Sequence, residues 1–311
     1  MKDNYGRDIY YLRLSVTEKC NYRCVYCMPE DSIPTDDISL SAEELVEIAR
    51  AASVCGIRKV RVTGGEPLLR PDIIDICREI AAIPGITELC VTTNGVLLPK
   101  YAEPLKQAGV KRLNMSLDSL DPETYRKITR RGSLEEALRG VNAAIETGFD
   151  AIKLNAVLLG GVNDGEIREL LEMTRAHNVN VRFIEVMPIG DQADLGEFIP
   201  AARVLEAAPE LRDIGADGVA RLYKLPDGRG TVGLISPVSS HFCPTCNRIR
   251  VTSDGKLKPC LHSADEIDLR GLRGAELENA ICAGILQKPQ KHKLDSGEKS
   301  ASQKNMNEIG G

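Results

Sequence analysis

The chain has no tryptophan and only four phenylalanines, and its aromatic content is 4% across 311 residues, so large rings cannot dominate its interior. The core must come from aliphatic side chains, which are plentiful within a hydrophobic fraction of 42%. No apolar run approaches the ~20 residues that a membrane-spanning helix needs. The opening Met1-Lys2-Asp3-Asn4-Tyr5-Gly6 also lacks the apolar stretch of a secretory leader. These absences predict a cytoplasmic protein with no membrane partner. A formal net charge of −5 offers no general surface for nucleic acid, although an acidic protein can still hold a focused basic cavity.

Cysteine is the exception to this sparseness, with ten present. In a small secreted domain they would suggest disulfides, but here six lie at metal-ligand spacings. Cys20, Cys24 and Cys27 occupy a loop after a predicted strand, close enough for three thiolates to meet one metal centre. Four-iron clusters normally take four thiolates. Three would leave one iron open to a substrate or cofactor. A zinc knuckle is the alternative, although structural zinc pairs usually read C-x2-C and need a fourth ligand. The second group, Cys243-Pro-Thr-Cys246 and then Cys260, admits two readings: a Cys3His zinc site completed by His262, or a second cluster with an open iron. Cys55, Cys77, Cys90 and Cys282 read as small hydrophobes.

Strand-like and helix-like segments alternate through the first two thirds of the chain, as in repeated βα units with parallel strands. Strands are predicted at 10–16, 57–63, 87–93, 110–117, 151–158 and 180–187, and helices at 41–54, 71–82, 97–108, 133–147 and 165–177. Ser41 with Glu44 forms a capping-box signature, Pro71 opens the next helix, and Gly56, Gly109 and Gly148 stop three of them. The pattern predicts an α/β fold, an incomplete (βα)6 barrel of the TIM type over 1–196, with a smaller C-terminal region over 197–311. Topology alone leaves a doubly wound sheet open. Hairpins are expected at Asp227-Gly228 and Asp254-Gly255, and the polar stretch from Gln287 to Asn305 reads as a flexible tail.

Residues two apart on a strand share a face. Arg13, Lys59, Arg61, Thr92, Asn114, Ser116, Lys153 and Asn155 fall opposite Leu12, Leu14, Val60, Val62, Val91, Leu113, Met115, Ile152 and Leu154. The apolar face suits packing by helices, so the polar face points inward. Charged groups inside a barrel are costly unless they meet a partner, water or a ligand. The interior is therefore expected to be a solvated cavity for a polar, anionic molecule. Polar residues also gather at strand ends: Gly64-Gly65-Glu66-Pro67, Asn94-Gly95, Ser116-Leu117-Asp118, and Glu185 with Met187.

The cysteine triplet resembles the signature of the radical S-adenosylmethionine (SAM) superfamily, in which the open iron chelates SAM and an electron from the cluster cleaves its sulfonium to give a 5′-deoxyadenosyl radical. Three segments are more specific: Arg13-Leu-Ser-Val-Thr17 leading through the triplet to Met28-Pro29, Arg61-Val-Thr-Gly-Gly-Glu-Pro67, and Cys243-Pro-Thr-Cys246-Asn-Arg248-Ile-Arg250. They resemble the GTP 3′,8-cyclases of molybdenum cofactor biosynthesis over nearly the whole chain. That resemblance implies two [4Fe-4S] clusters, on Cys20, Cys24 and Cys27 and on Cys243, Cys246 and Cys260. It implies SAM contacts from Tyr26, Gly65, Thr92, Ser116 and Met187, and GTP contacts from Arg13, Lys59, Arg61, Lys153, Arg248 and Arg250. Arg13, Gly310 and Gly311 are further implied in catalysis. The expected reaction joins C3′ of GTP to C8 of guanine, needs a reducing electron donor, and passes its product to cyclic pyranopterin monophosphate synthase. A homodimer remains open. The segment between Gly190 and Leu211 is shorter than the resemblance leads one to expect. A radical SAM enzyme acting on a peptide and a non-enzymatic zinc protein are the competing readings.

Overall fold

The computed structural model describes residues 1–33, 38–190, 196–292, 294 and 300–310. Gly311, part of the short segment after Gly190 and part of the polar stretch after Gln287 lie outside the described residues. The alternation becomes β1 (Tyr11–Ser15), α1 (Ala42–Val54), β2 (Lys59–Thr63), α2 (Ile73–Ala81), β3 (Glu88–Thr93), α3 (Leu98–Gln107) and β4 (Arg112–Ser116). It continues with α4 (Pro122–Thr129), α5 (Leu134–Thr147), β5 (Ala151–Leu158), α6 (Ile167–Ala176) and β6 (Asn180–Glu185). The remainder forms α7 (Arg203–Ala207), β7 (Arg212–Asp217), β8 (Ala220–Lys224), β9 (Thr231–Ile235), β10 (Arg248–Val251), β11 (Lys256–Lys258), β12 (Ile267–Asp268), α8 (Gly274–Leu286) and α9 (Met306–Ile309).

Local chemistry explains most boundaries. Ser41 Oγ accepts from Glu44 N at 3.2 Å while Glu44 accepts from Ser41 N at 3.0 Å, which closes the reciprocal cap of α1. Gly148 ends α5 at φ +72°, a conformation that costs a side-chain-bearing residue about 1 kcal/mol. Helix α4 is absent from the sequence reading. Its start was nonetheless written in Asp121-Pro122, where Asp121 accepts from Thr124 N at 2.8 Å and proline fills the first turn.

One 12-stranded sheet runs β12-β11-β10-β1-β2-β3-β4-β5-β6-β9-β8-β7. Strand β10 pairs parallel with β1, and β9 pairs parallel with β6, so the six expected strands gain one parallel neighbour at each edge. The barrel stays open, because the outer strands β11, β12, β8 and β7 continue antiparallel without joining. Both expected hairpins are present, joining β8 to β9 and β10 to β11. The C-terminal region thus supplies both edges of the parallel sheet, β9 at one and β10 at the other.

The outward strand faces and the inner faces of the helices make the core. Leu12, Leu14, Val60, Val62, Leu113 and Leu154 are buried with Leu45, Ile48, Ile76 and Ile80. Burying such a side chain contributes about 1.5–3 kcal/mol. Several residues of the expected tail are packed: Lys288 is 3% exposed and donates to Arg248 O at 2.9 Å and Pro259 O at 2.8 Å.

The loop carrying the first cysteines is stitched to the turn after β2. Gly65 N donates to Thr17 O and Glu66 N to Lys19 O, both at 2.7 Å. A Cβ on Gly65 would stand 2.2 Å from Lys19 O, so any side chain must push the cysteine loop away. Gly65→Ala is expected to destabilise the fold by about 1–3 kcal/mol. It should also lower the iron bound per chain, as measured by thermal unfolding and metal analysis of anaerobically reconstituted protein.

Candidate active site

Cys20, Cys24 and Cys27 lie in the segment following the C-terminal end of β1. A short turn closes with Cys27 N donating to Cys24 O at 2.9 Å. Arg23 ties the segment together by donating to Cys20 O and Tyr22 O, both at 2.8 Å. Helix α4 and the residue after it anchor the same loop: Arg23 N and Val25 N donate to Thr129 O and Ile128 O, and Arg130 donates to Arg23 O. Burial pushes the Cys20 thiol up to about 12 and those of Cys24 and Cys27 upward as well. Such thiols ionise when a metal takes the proton's place. Three half-buried thiols on one tethered turn therefore fit a metal centre.

The second group sits at the opposite end of the barrel. Asn247, just before β10, accepts from Tyr10 N and Tyr11 N at the start of β1, whereas the first group follows that strand's far end. Arg7 donates to Cys243 O at 2.9 Å and Lys288 braces Arg248 and Pro259, two supports that no sequence motif had marked. Burial opposes ionisation of Cys246, but Arg248 and Lys288 outweigh it and bring this thiol down to about 6. His262, the fourth ligand of the zinc reading, instead places Nδ1 3.3 Å from Ser300 Oγ and its ring 4.7 Å from that of His292. Among the described residues, no three His, Cys, Asp or Glu side chains close on a single ion.

Between these ends lies a cavity of 320 Å³, lined by all six of these cysteines and by Arg13, Lys59, Arg61, Lys153, Arg248 and Arg250. Register explains the convergence. Arg13 is the direct partner of Arg250 on one side and of Arg61 on the other, so three guanidiniums stand in one row. Burial and the neighbouring charges of Arg250 and Arg61 hold Arg13 well below its usual range, and burial with Arg248 brings Arg250 down to about 9. Lys59 and Arg61 lie 4.9 and 5.4 Å from the centre of the Tyr11 ring, where its π face helps to hold them. Arg61 Nε, Thr92 Oγ1, Asn114 Nδ2 and Tyr11 OH are buried without a hydrogen-bond partner among the described residues. Orphaned donors beside a row of cations are the signature of a site shaped for an anionic ligand.

Two of the expected cations have partners within the chain. Lys59 meets Glu88 at 2.5 Å, and Lys153 meets Asp217 at 2.7 Å. Arg182, which strand-face reasoning had not reached, shares Asp217 at 2.6 Å. Its signal was the alternation Asn180, Arg182, Ile184 along β6, which points Arg182 inward. Two other carboxylates are committed to structure. Glu66 accepts from Leu68 N, Thr93 Oγ1 and Asn94 N, and Glu185 from Ala201 N, Val238 N and Ser239 N.

Tyr26, Gly65, Thr92, Ser116 and Met187 line the end of the same cavity nearest the first cysteines. Tyr26 donates to Asp118 at 2.7 Å; burial raises the Asp118 carboxyl to about 6. The described end of the tail reaches the cavity too. Met306 N donates to Cys27 O at 3.1 Å, and Gly310 O accepts from Arg250 at 2.8 Å. Gly310 takes φ +77°, and a Cβ there would lie 2.8 Å from a Thr63 methyl, so the passage admits little more than bare backbone. Gly311 lies outside the described residues.

A family model described as the radical SAM superfamily matches residues 14–174, and one described as molybdenum cofactor synthesis C matches residues 179–294. A crystal structure of Streptococcus suis SuiB bound to S-adenosylmethionine is similar at a TM-score of 0.65 and 16% identity, covering 91% of this chain and 67% of that one. Native anSMEcpe with bound AdoMet reaches 0.57 at 12% identity, covering 92% and 82%. At these identities the likeness concerns the fold, and fold and site together define a radical SAM enzyme. Within that class the chain belongs to the GTP 3′,8-cyclase family of molybdenum cofactor biosynthesis. The GTP 3′,8-cyclases of Alkaliphilus oremlandii and Alkaliphilus metalliredigens are each 47% identical over the full length of both chains, and that of Peptoclostridium acidaminophilum is 46% identical over 99% and 98%. The family works with SAM and a four-iron cluster, and the cyclases carry an additional cluster. No helix among the described residues is long and apolar enough to cross a membrane.

Asp217→Asn leaves Lys153 and Arg182 facing each other without their carboxylate. Because Asp217 is half exposed, the expected loss of stability is about 1–3 kcal/mol, below the full cost of breaking a buried pair. Inorganic tripolyphosphate should restore more of the melting temperature to this variant than to the parent. Equal shifts in the two would show that the cations do not face an anion site.

Proposed function

We propose that the cavity holds SAM against the N-terminal cysteines and GTP against the C-terminal ones, with each residue acting as its position allows. The observation that carries this reading is the single cavity bounded by both cysteine groups and crossed by the Arg250, Arg13, Arg61 row. Cys20, Cys24 and Cys27 would hold one cluster, and Cys243, Cys246 and Cys260 the other. When bound, these groups and SAM supply the one-electron chemistry that removes the C3′ hydrogen of GTP, after which C3′ bonds to C8.

The protein's part is placement. Tyr26, Gly65, Thr92, Ser116 and Met187 surround SAM, Thr92 through a hydroxyl that has no hydrogen-bond partner among the described residues. Arg13, Lys59, Arg61, Lys153, Arg248 and Arg250 receive GTP, guanidinium forks suiting phosphate oxygens and lysines acting as point charges. Arg182 joins them from β6. Gly310 brings the tail to the cation row, where its carbonyl fixes Arg250, and Gly311 would act with it in radical transfer to GTP. The fold shared with SuiB, which has also been crystallised with its precursor peptide SuiA, leaves a peptide substrate conceivable on architecture alone. Full-length identity to the cyclases favours the nucleotide. The product would pass to cyclic pyranopterin monophosphate synthase, the electron would come from a low-potential donor, the setting would be cytoplasmic and the assembly a homodimer.

Anaerobic incubation with SAM, reductant and GTP tests the division of labour. Cys24→Ala should abolish 5′-deoxyadenosine, whereas Cys246→Ala should keep part of it and lose the cyclised nucleotide. Conversion of GTP by a Cys246→Ala protein that has lost one zinc would establish the zinc reading instead. Removing Gly310-Gly311 should slow cyclisation and leave both clusters and SAM cleavage intact.

GTP affinity should also depend on pH. Burial, reinforced by Arg182 and opposed by Asp217, lowers Lys153 to about 8, so it loses its charge as pH rises through that value. One charge-assisted contact is worth about 1.5–3 kcal/mol, so GTP should bind roughly 10- to 100-fold more weakly above that range than below it. Lys153→Arg stays charged and should flatten the profile in equilibrium dialysis. A parallel decline in both proteins would move the titration to another group.

A further inference from the structure

Cys55 and Cys282, read from the sequence as two unrelated apolar residues, face each other with Sγ atoms 2.7 Å apart across 227 residues of chain. Cys55 caps the C-terminus of α1, and Cys282 lies in α8, which packs against α1 on the outside of the barrel. The Cys55 thiol is also 3.3 Å from Glu278 O, one turn before Cys282 on α8. Neither residue lines the cavity, so this pair belongs to neither cysteine group already described. The other two cysteines outside those groups behave differently: Cys77 and Cys90 are 0% and 1% exposed, and among the described residues neither has a thiol partner.

Two free thiols this close can join after small side-chain rotations, provided their helices hold the approach. Both anchor points are firm. Cys55 N is bonded to Ala51 O and Ser53 O, and Cys282 continues a helix whose Leu277, Ile281 and Ile285 are buried. Access is asymmetric, since Cys55 is 6% exposed while Cys282 is partly open to solvent. Burial and the adjacent Cys282 keep the Cys55 thiol protonated until its partner reacts.

We propose that Cys55 and Cys282 form a thiol–disulfide exchange site that low-molecular-weight disulfides oxidise, stapling α8 to α1. Cys282, as thiolate, attacks one sulfur of the small disulfide, breaking its S–S bond and expelling one small thiolate. Cys55 then loses its proton and attacks Cys282 in the mixed disulfide, expelling the second. Two protein thiols are thereby oxidised to one disulfide and one small disulfide is reduced to two thiols. The bond ties the C-terminal region, which carries Cys243, Cys246 and Cys260, directly to the helix between the N-terminal cysteines and β2. Its effect is to hold the far wall of the cavity on the barrel under oxidising conditions that threaten the metal centres.

Anaerobically reconstituted full-length protein, equilibrated in glutathione buffers of graded potential and quenched with an alkylating agent, provides the test. Peptide mass spectrometry should find Cys55 and Cys282 in one linked peptide, two hydrogens lighter than the sum of its parts, while bound iron is retained. The oxidised protein should melt roughly 5–15 °C higher than the reduced one. Cys282→Ser should give neither the linked peptide nor the shift, and Cys77→Ser should change neither. Full alkylation of both thiols across the whole series, or a persistent glutathione adduct on Cys282 with no link to Cys55, would overturn the proposal. Because mass and melting are read rather than turnover, failure here leaves the assignment of the cavity untouched.

Discussion

Positive charge enclosed in a barrel is the constraint around which this structure is arranged. A closed barrel fills its interior with branched apolar side chains; here the row Arg250, Arg13, Arg61 takes that place, with Lys153 and Arg182 further round. Like charges at such spacing repel, and burial deprives them of water. The protein contains the cost in three ways. Tyr11 presents its ring to Lys59 and Arg61, Glu88 and Asp217 neutralise the lysines, and the sheet stays open so that solvent or an anion can enter. An interior of this kind would be completed by the polyphosphate of the proposed substrate.

The second constraint is polarity along the barrel axis. Because β10 and β1 run parallel, the residues that enter β10 lie at the end where β1 begins, and those that leave β1 lie at the other. Cys243 and Cys246 therefore face Cys20, Cys24 and Cys27 along the cavity's length, with the cations between them. This separation would let the two proposed metal groups take different roles without competing for ligands. The tail enters the same space, touching the first cysteine loop through Met306 and the cation row through Gly310.

Supporting contacts outnumber the groups that do chemistry. Glu66 and Glu185, both placed at strand ends where catalytic residues gather, spend their oxygens on backbone amides and hydroxyls of adjoining loops. Arg23, Arg130, Arg7 and Lys288 hold the two cysteine loops by donating to carbonyls. Such scaffolding fixes both cysteine loops in advance, which would limit the entropy lost on binding a metal there.

Short-range chemistry was legible in the chain itself. Spacing marked both cysteine groups, period-two alternation placed Arg13, Arg61 and Lys153 on an inward face, and caps and glycines bounded four of the five expected helices, because each signal depends on residues within a few positions of one another. Helix α4 carries the same kind of signal in Asp121-Pro122. The tertiary structure alone decided that β9 and β10 close onto the two edges of the sheet, that Asp217 reaches Lys153 and Arg182, that Gly310 meets Arg250, and that Cys55 meets Cys282. Each of these joins residues tens to hundreds of positions apart, and which strand edge or helix face receives which partner depends on the register of the whole sheet, a property that no local run of residues contains.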